Sequence, residues 1–304
     1  MASKLRVAVL GEKPQGAEWL KLMLDSNLFE IVCGVPRHLK GAVWWGEDDF
    51  RSHLESHRIP IIQREELENY RYDIIWSLMY GFIIEEKWIK RAEFGVNLHE
   101  SPLPRYRGCN GYSHAILAND TTYGTTLHLL DPELDRGAMI EQEIFPIESD
   151  ETAKELYNRT RKISRDLFAR KLRSISEKNF NQTPFQVIEE PIRARSSLID
   201  EKSIECFASF EDLYRRARAL DFVPFEPLHI EMSTGRYYIF VNGSEGRKDH
   251  LEEAIEIEWP NLANIPIMKC SLKNRVLIVM NEKVYSNYYP IFQTAAERKR
   301  GHGK

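Results

Sequence analysis

Leu5-Arg-Val-Ala-Val-Leu10, closed by Gly11, is followed by Ala17-Glu-Trp-Leu-Lys-Leu-Met-Leu24 and then by Phe29-Glu-Ile-Val-Cys-Gly-Val35. The first and third segments are short apolar runs rich in β-branched residues, the pattern of buried strands, whereas the second repeats its apolar residues at helical spacing. Strand, helix and strand in so short a span imply a right-handed crossover between parallel neighbours of one sheet. The intervening turn, Gly11-Glu-Lys-Pro-Gln-Gly16, lacks the Gly-x-Gly-x-x-Gly spacing that brings a pyrophosphate onto a helix N-terminus. This Rossmann-like half is therefore not assigned a nicotinamide cofactor.

The same reading continues along the chain. Phe50 to His57 is helical, Ile59-Pro-Ile-Ile62 a short strand, and Asp73-Ile-Ile-Trp-Ser-Leu-Met79 a buried strand that gives way to Tyr80-Gly-Phe-Ile-Ile84 and a helix through Lys90. Tyr112 to Ala118 reads as a helix, and Thr125 to Leu130 and Met139 to Pro146 as strands. Ser149-Asp-Glu-Thr152 supplies capping residues to a long helix with apolar Ala153, Leu156, Tyr157, Ile163, Leu167 and Leu172. After a polar linker, Asn179 to Pro184, the pattern changes. One more helix, Ser209 to Leu220, precedes β-type segments at His229 to Met232, Tyr237 to Val241, Ala254 to Trp259 and Arg275 to Met280. The expected fold is α/β: a Rossmann-like domain over 1–180, a smaller β-rich domain over 190–292 whose closure into an OB-like barrel the pattern leaves open, and a basic, disordered tail over 293–304.

Composition narrows the class. A chain of 304 residues with 42% hydrophobic content can build two ordinary cores, and a formal charge of −4 offers no broad attraction to a polyanion. Cys33, Cys109, Cys206 and Cys270 stand far apart, with no pair at zinc or redox spacing, so no metal is expected and the thiols read as reduced. No apolar run approaches a membrane span, and Met1-Ala-Ser-Lys-Leu-Arg leads directly into a strand pattern rather than a signal peptide. A cytoplasmic protein is expected.

The chemistry concentrates in Asn97-Leu-His-Glu-Ser-Pro-Leu-Pro-Arg-Tyr-Arg-Gly108. At a strand tip, Asn97 and His99 share a face because side chains alternate with period two. Acyl transfer to an amine needs a neutral donor for the carbonyl oxygen as it gains charge and a base for the amine proton; Asn97 suits the first task and His99 the second. Asp135, in Leu130-Asp-Pro-Glu-Leu-Asp-Arg-Gly137, suits the third role, fixing the imidazole tautomer and raising its basicity. Pro102 and Pro104 stiffen the loop between. Arg105 and Arg107 flank Tyr106 there, two guanidinium groups of the kind that clamp a phosphate. The Trp44-Trp45 pair on the polar Pro36 to Asp49 loop is costly to leave in water, and it covers a core edge, a second copy of the chain or a substrate ring.

Taken together, Asn97-x-His99-x-Ser101-x-Leu103-Pro104 and the downstream Leu134-Asp135-Arg136-Gly137 resemble the formyltransferase family that uses 10-formyltetrahydrofolate. The likeness is strongest over 73–160. It implies that Asn97, His99 and Asp135 are catalytic, and that the folate co-substrate is held by Met79, Tyr80, Phe82, Ile83, Leu130 and Asp131. It also implies that the 36–49 loop approaches the acceptor, which makes Trp44 and Trp45, with Arg105, Tyr106 and Arg107, the candidate acceptor-binding residues. The segment from Ser77 to Ile84 looks closer to sugar N-formyltransferases than to the tRNA enzymes, and the absence of a basic second domain points the same way. The expected acceptor is a nucleotide-linked amino sugar of polysaccharide biosynthesis, with methionyl-tRNA formylation and formyltetrahydrofolate hydrolysis as alternatives. Nucleic acid and membrane are not expected partners; a homodimer is compatible with this reading.

Overall fold

The structure is a computed structural model that describes residues 3–37, 50–205, 209–250, 252, 254–256, 267–272 and 274–291. Trp44, Trp45, Cys206 and the basic tail lie outside the described residues. The chain forms two compact units, one from Met1–Arg107, Gly124–Ile144 and Thr160–Glu190, the other from Gly108–Tyr123, Phe145–Arg159 and Pro191 onward. The sequence reading divides the chain once, near 180–190. The folded chain passes between its units five times.

In chain order come β1 (Leu5–Gly11), α1 (Lys13–Ser26), β2 (Phe29–Pro36), α2 (Phe50–Ser56), β3 (Ile74–Leu78), α3 (Glu86–Ile89) and β4 (Phe94–His99). Then follow α4 (Gly111–Leu117), β5 (Thr122–Leu129), β6 (Met139–Pro146) and α5 (Ala153–Ser176). The first unit's sheet has the order β2-β1-β3-β4-β5-β6; β1 pairs in parallel with β2 and β3, β3 with β4, while β4 and β5 are antiparallel. Successive residues of β1 and β3 enter different cores: Val7, Val9, Ile74 and Trp76 pack with Trp19, Leu20 and Met23 of α1 and with Leu167, Phe168 and Leu172 of α5, whereas Ala8, Leu10 and Ile75 pack with Trp88 of α3. A sheet buried on both faces needs continuous apolar strands, which is why these strands are legible as runs.

The first turn of α1 is built for close approach. Pro14 lies in that turn, and a Cβ at Gly16 would stand 2.3 Å from the Leu78 carbonyl oxygen, so only glycine lets the helix meet the end of β3. Between β1 and β3 lies the sheet's topological switch point, where open α/β sheets bind their ligands. Glu12, wholly buried there, accepts two bonds from Arg37 Nη1 at 3.0 and 2.9 Å. The pairing neutralises a carboxylate that burial alone would penalise heavily.

The second unit contains β7 (Ser203–Ile204), α6 (Phe210–Leu220), β8 (Leu228–Met232), β9 (Gly235–Val241), β10 (Ile255–Glu256), β11 (Ile267–Leu272), β12 (Arg275–Asn281) and α7 (Glu282–Tyr288). Its sheet runs β10-β11-β12-β9-β8-β7. Leu213, Tyr214, Ala217 and Leu220 of α6 cover one face against Leu228, Ile239 and Leu277, and Tyr285 and Tyr289 cover the other against Tyr238, Phe240 and Ile278. The described strands thus form a β-rich sheet with a helix on each face, as the composition of this region leads one to expect. Asp221 and Arg247, 2.9 Å apart with side chains 2% and 0% exposed, pin this unit together. Asp221 also accepts from the Val241 N–H and the Ser244 hydroxyl, and Arg247 donates to the Tyr285 hydroxyl. Among the described residues no helix is long and apolar enough to cross a membrane.

Candidate active site

Strand register assembles the site. In the β4–β5 ladder Asn97 stands opposite His128 and His99 opposite Thr126, and Asn97 and His99 project from the same face of β4. His128 is 1% exposed; its Nδ1 lies 2.7 Å from the Leu129 carbonyl oxygen and its Nε2 lies 3.1 Å from Asn97 Nδ2. Burial pushes the His128 pKa down to about 4, the neighbouring His99 acting in the same direction and Asp135 opposing it. The imidazole is therefore neutral at ordinary pH.

His99 is held from two sides. Its Nε2 donates to the Tyr106 carbonyl at 3.0 Å, and its Nδ1 faces Asp135 Oδ2 at 3.6 Å, too far for a hydrogen bond but within ion-pair range. With the Nε2 proton engaged, the neutral ring keeps its lone pair on Nδ1. The tautomer-fixing task expected of Asp135 falls to the Tyr106 carbonyl. Asp135 is placed to stabilise the imidazolium that forms when Nδ1 takes a proton.

Two loops supply these partners. Tyr106, at φ 60°, gives its N–H to Glu190 Oε2 at 3.1 Å, while Arg105 Nε donates to Glu190 Oε1 at 3.2 Å and Arg105 Nη2 to the Tyr106 hydroxyl at 2.9 Å. Gln142 donates to the Leu103 carbonyl and to Thr126 Oγ1, fixing the same loop from β6. On the other side, Arg107 Nε and Nη2 both donate to the Leu134 carbonyl, at 2.9 and 2.5 Å. A Cβ at Gly137 would lie 1.8 Å from the Leu129 carbonyl oxygen, so the loop carrying Asp135 turns back onto β5 only with glycine there.

Of the residues expected to hold folate, Phe82 and Ile83, adjacent in the chain, are 49% and 62% exposed. Tyr80 meets Phe82 edge-on at 5.8 Å, and Arg37 lies 4.4 Å above the Phe82 ring. Met79 has a positive φ of 61°, Leu130 is half-buried against the Ala8–Leu10 core, and Asp131 is exposed. Tyr106, expected near the acceptor, has a wholly buried ring. Sequence reasoning missed His128, Glu190 and the Tyr106 carbonyl. His128 alone left a trace, as the one strongly polar side chain in the apolar Leu127-His-Leu129 run; its position opposite Asn97 depends on register, which that run does not encode.

Asn97 and His99 thus stand at the end of β4, with Asp135 carried to His99 by the loop after β5, an amide, an imidazole and a carboxylate gathered at one edge of the first unit's sheet. Residues 55–172, which include all three, match the family described as Formyl transferase, so the expected resemblance holds. Among curated relatives, the chain is 34% identical over 178 residues to a methionyl-tRNA formyltransferase of Halorhodospira halophila and 28% identical over 186 residues to one of Wolbachia pipientis. The matches span 57% and 60% of those proteins. Among solved structures, the fold is shared with the N-formyltransferase of Helicobacter canadensis in complex with folinic acid and dTDP-3-aminofucose, at a TM-score of 0.67 and 20% identity, covering 91% of this chain and 99% of that one.

Proposed function

We propose that the protein transfers a formyl group from 10-formyltetrahydrofolate to the primary amine of a nucleotide-linked amino sugar. The observation that carries this reading is the arrangement on β4, where the Asn97 amide projects from the same face as the His99 imidazole, whose Nδ1 faces Asp135 at 3.6 Å. The exposed Phe82 and Ile83 beside Tyr80 fit the flat apolar body of a folate, for which Met79, Leu130 and Asp131 complete the candidate set. When bound, that co-substrate supplies the activated formyl carbon and a nitrogen leaving group.

The residues then divide the work. Asn97 donates an N–H to the formyl oxygen as it gains charge. His99 Nδ1 accepts the proton that the amine loses as the new C–N bond forms, and the Nε2–H remains on the Tyr106 carbonyl. Asp135 stabilises the imidazolium for that interval. His99 then returns the proton to the departing nitrogen, so the ring ends as it began.

The sugar acceptor is supported by the whole-chain likeness to an N-formyltransferase solved with a nucleotide amino sugar and by the charge of −4, which offers little to the phosphates of a tRNA. Arg105 and Arg107 are the candidate phosphate ligands in this reading, and Trp44 and Trp45 the candidate ring contacts. A cytoplasmic setting and a place in polysaccharide biosynthesis accompany this reading. The test is tetrahydrofolate release measured with a panel of nucleotide-linked amino sugars, with charged initiator tRNA, and with no acceptor. Turnover dependent on one amino sugar is the expected result. Turnover with tRNA alone, or with none, would reassign the protein to tRNA formylation or to hydrolysis.

A further inference from the structure

We propose that His128 is a positioning residue that sets the orientation of the Asn97 amide, directing one N–H to itself and leaving the second for the formyl oxygen. The inference rests on the formyl-transfer reading and extends it by one residue. Asn97 can present either an amide nitrogen or an amide oxygen to a neighbour, and only the first orientation makes it the donor that oxyanion stabilisation requires. The chain of polar contacts decides between the two. The Leu129 carbonyl can only accept, so His128 must donate from Nδ1; a neutral ring then has only a lone pair on Nε2, and that lone pair takes a hydrogen from Asn97 Nδ2. The reverse orientation would set the Asn97 oxygen against the lone pair.

The arrangement persists because His128 does not titrate in the working range. The ionisable groups around it, Asp135 and His99, act in opposite directions, and burial dominates both. Backbone register fixes the distance, since Asn97 and His128 are direct cross-strand partners. Among the described residues, the Asn97 side chain has no hydrogen-bond partner other than His128.

The first test reads the orientation without any turnover. With ¹⁵N-labelled histidine in the full chain, one of the nine imidazoles, assigned by its loss in His128→Gln, is expected as the neutral Nδ1–H tautomer and is expected to stay so down to about pH 5. An Nε2–H tautomer, or a midpoint near 6.5, would overturn the proposal. The second test is kinetic. Loss of one hydrogen bond of ordinary strength corresponds to about a three- to tenfold effect, so His128→Phe should lower kcat by that factor with KM for the folate unchanged. Gln, which can place an acceptor near the Nε2 position, should restore part of the loss. In an Asn97→Ala background the His128→Phe change should cost nothing further; an equal cost there, or an unchanged kcat in the single variant, would reduce His128 to packing. If His128→Phe does not fold, the ¹⁵N tautomer and the Gln variant still decide. A wild-type enzyme silent with every acceptor would count against the formyl-transfer reading and leave the tautomer result standing.

Discussion

Asn97, bonded to His128, and Asp135, facing His99, are held by different means, and their variants should fail differently. Asn97 sits in a ladder and contributes a donor, so Asn97→Ala should lower kcat by about a hundredfold to a thousandfold while folate binding is retained. Stopped-flow turnover at saturating substrate checks this, and a loss below tenfold would remove Asn97 from the chemistry. Asp135 rides on a loop at φ 53°, and Arg107 holds that loop by two bonds to the Leu134 carbonyl. Arg107→Met keeps the aliphatic stem and removes both bonds. If Arg107 acts through Asp135, kcat should fall by about tenfold with acceptor KM little changed, a loss of one or two hydrogen bonds' worth of positioning. A rise confined to acceptor KM would instead make Arg107 the phosphate ligand that its place in the sequence suggests.

Elements differed in how far the sequence disclosed them, and the reasons are physical. β1, α1, β2 and β3 were legible because burial on both sheet faces demands unbroken apolar runs with a helix between. Asn97 and His99 were legible because period two alone puts them on one face. His128 was not, since its relation to Asn97 is a matter of register between strands separated by a loop and a helix. β11 escaped notice because Lys269, Cys270 and Ser271 dilute its β-type composition, and α7 because Val284, Tyr285 and Tyr288 favour strands. Its cap was the available signal: Asn281 Oδ1 accepts the Lys283 N–H at 3.0 Å. The contacts that α7 makes carry a prediction. Arg247→Met strands a buried Asp221 carboxylate without its cation, which should destabilise the second unit by about 3–5 kcal/mol, whereas the double change Asp221→Asn with Arg247→Met should recover much of that loss. Urea unfolding followed by tyrosine fluorescence measures both; equal stability of the single variant and the wild type would show that the pair is not what closes the unit.

At the scale of the molecule, both units hold a histidine in its neutral form, and this makes stability depend on pH in a defined window. Burial holds His128 in the first unit and His114 in the second at about 4, Arg193 adding to the effect on His114, whereas in the unfolded chain a histidine titrates near 6.5. Between about pH 6.5 and 4 the unfolded chain binds protons that the folded chain refuses. Folding free energy is therefore at its full value above about 6.5 and declines as pH falls through the window. For the fully buried His128 the loss amounts to about 3 kcal/mol by pH 4, and the partly exposed His114 adds less. Carboxylates held down by ion pairs, such as Asp73 beside Arg6, act in the same direction but at lower pH, below the ordinary carboxylate range. The expected outcome is a urea midpoint that is flat from pH 8 to about 6.5 and then falls, with His128→Phe removing the larger part of the slope between 6.5 and 4. A midpoint independent of pH across that interval would mean that His128 is charged or solvated in the folded protein, and the donor orientation of Asn97 would lose its support along with it.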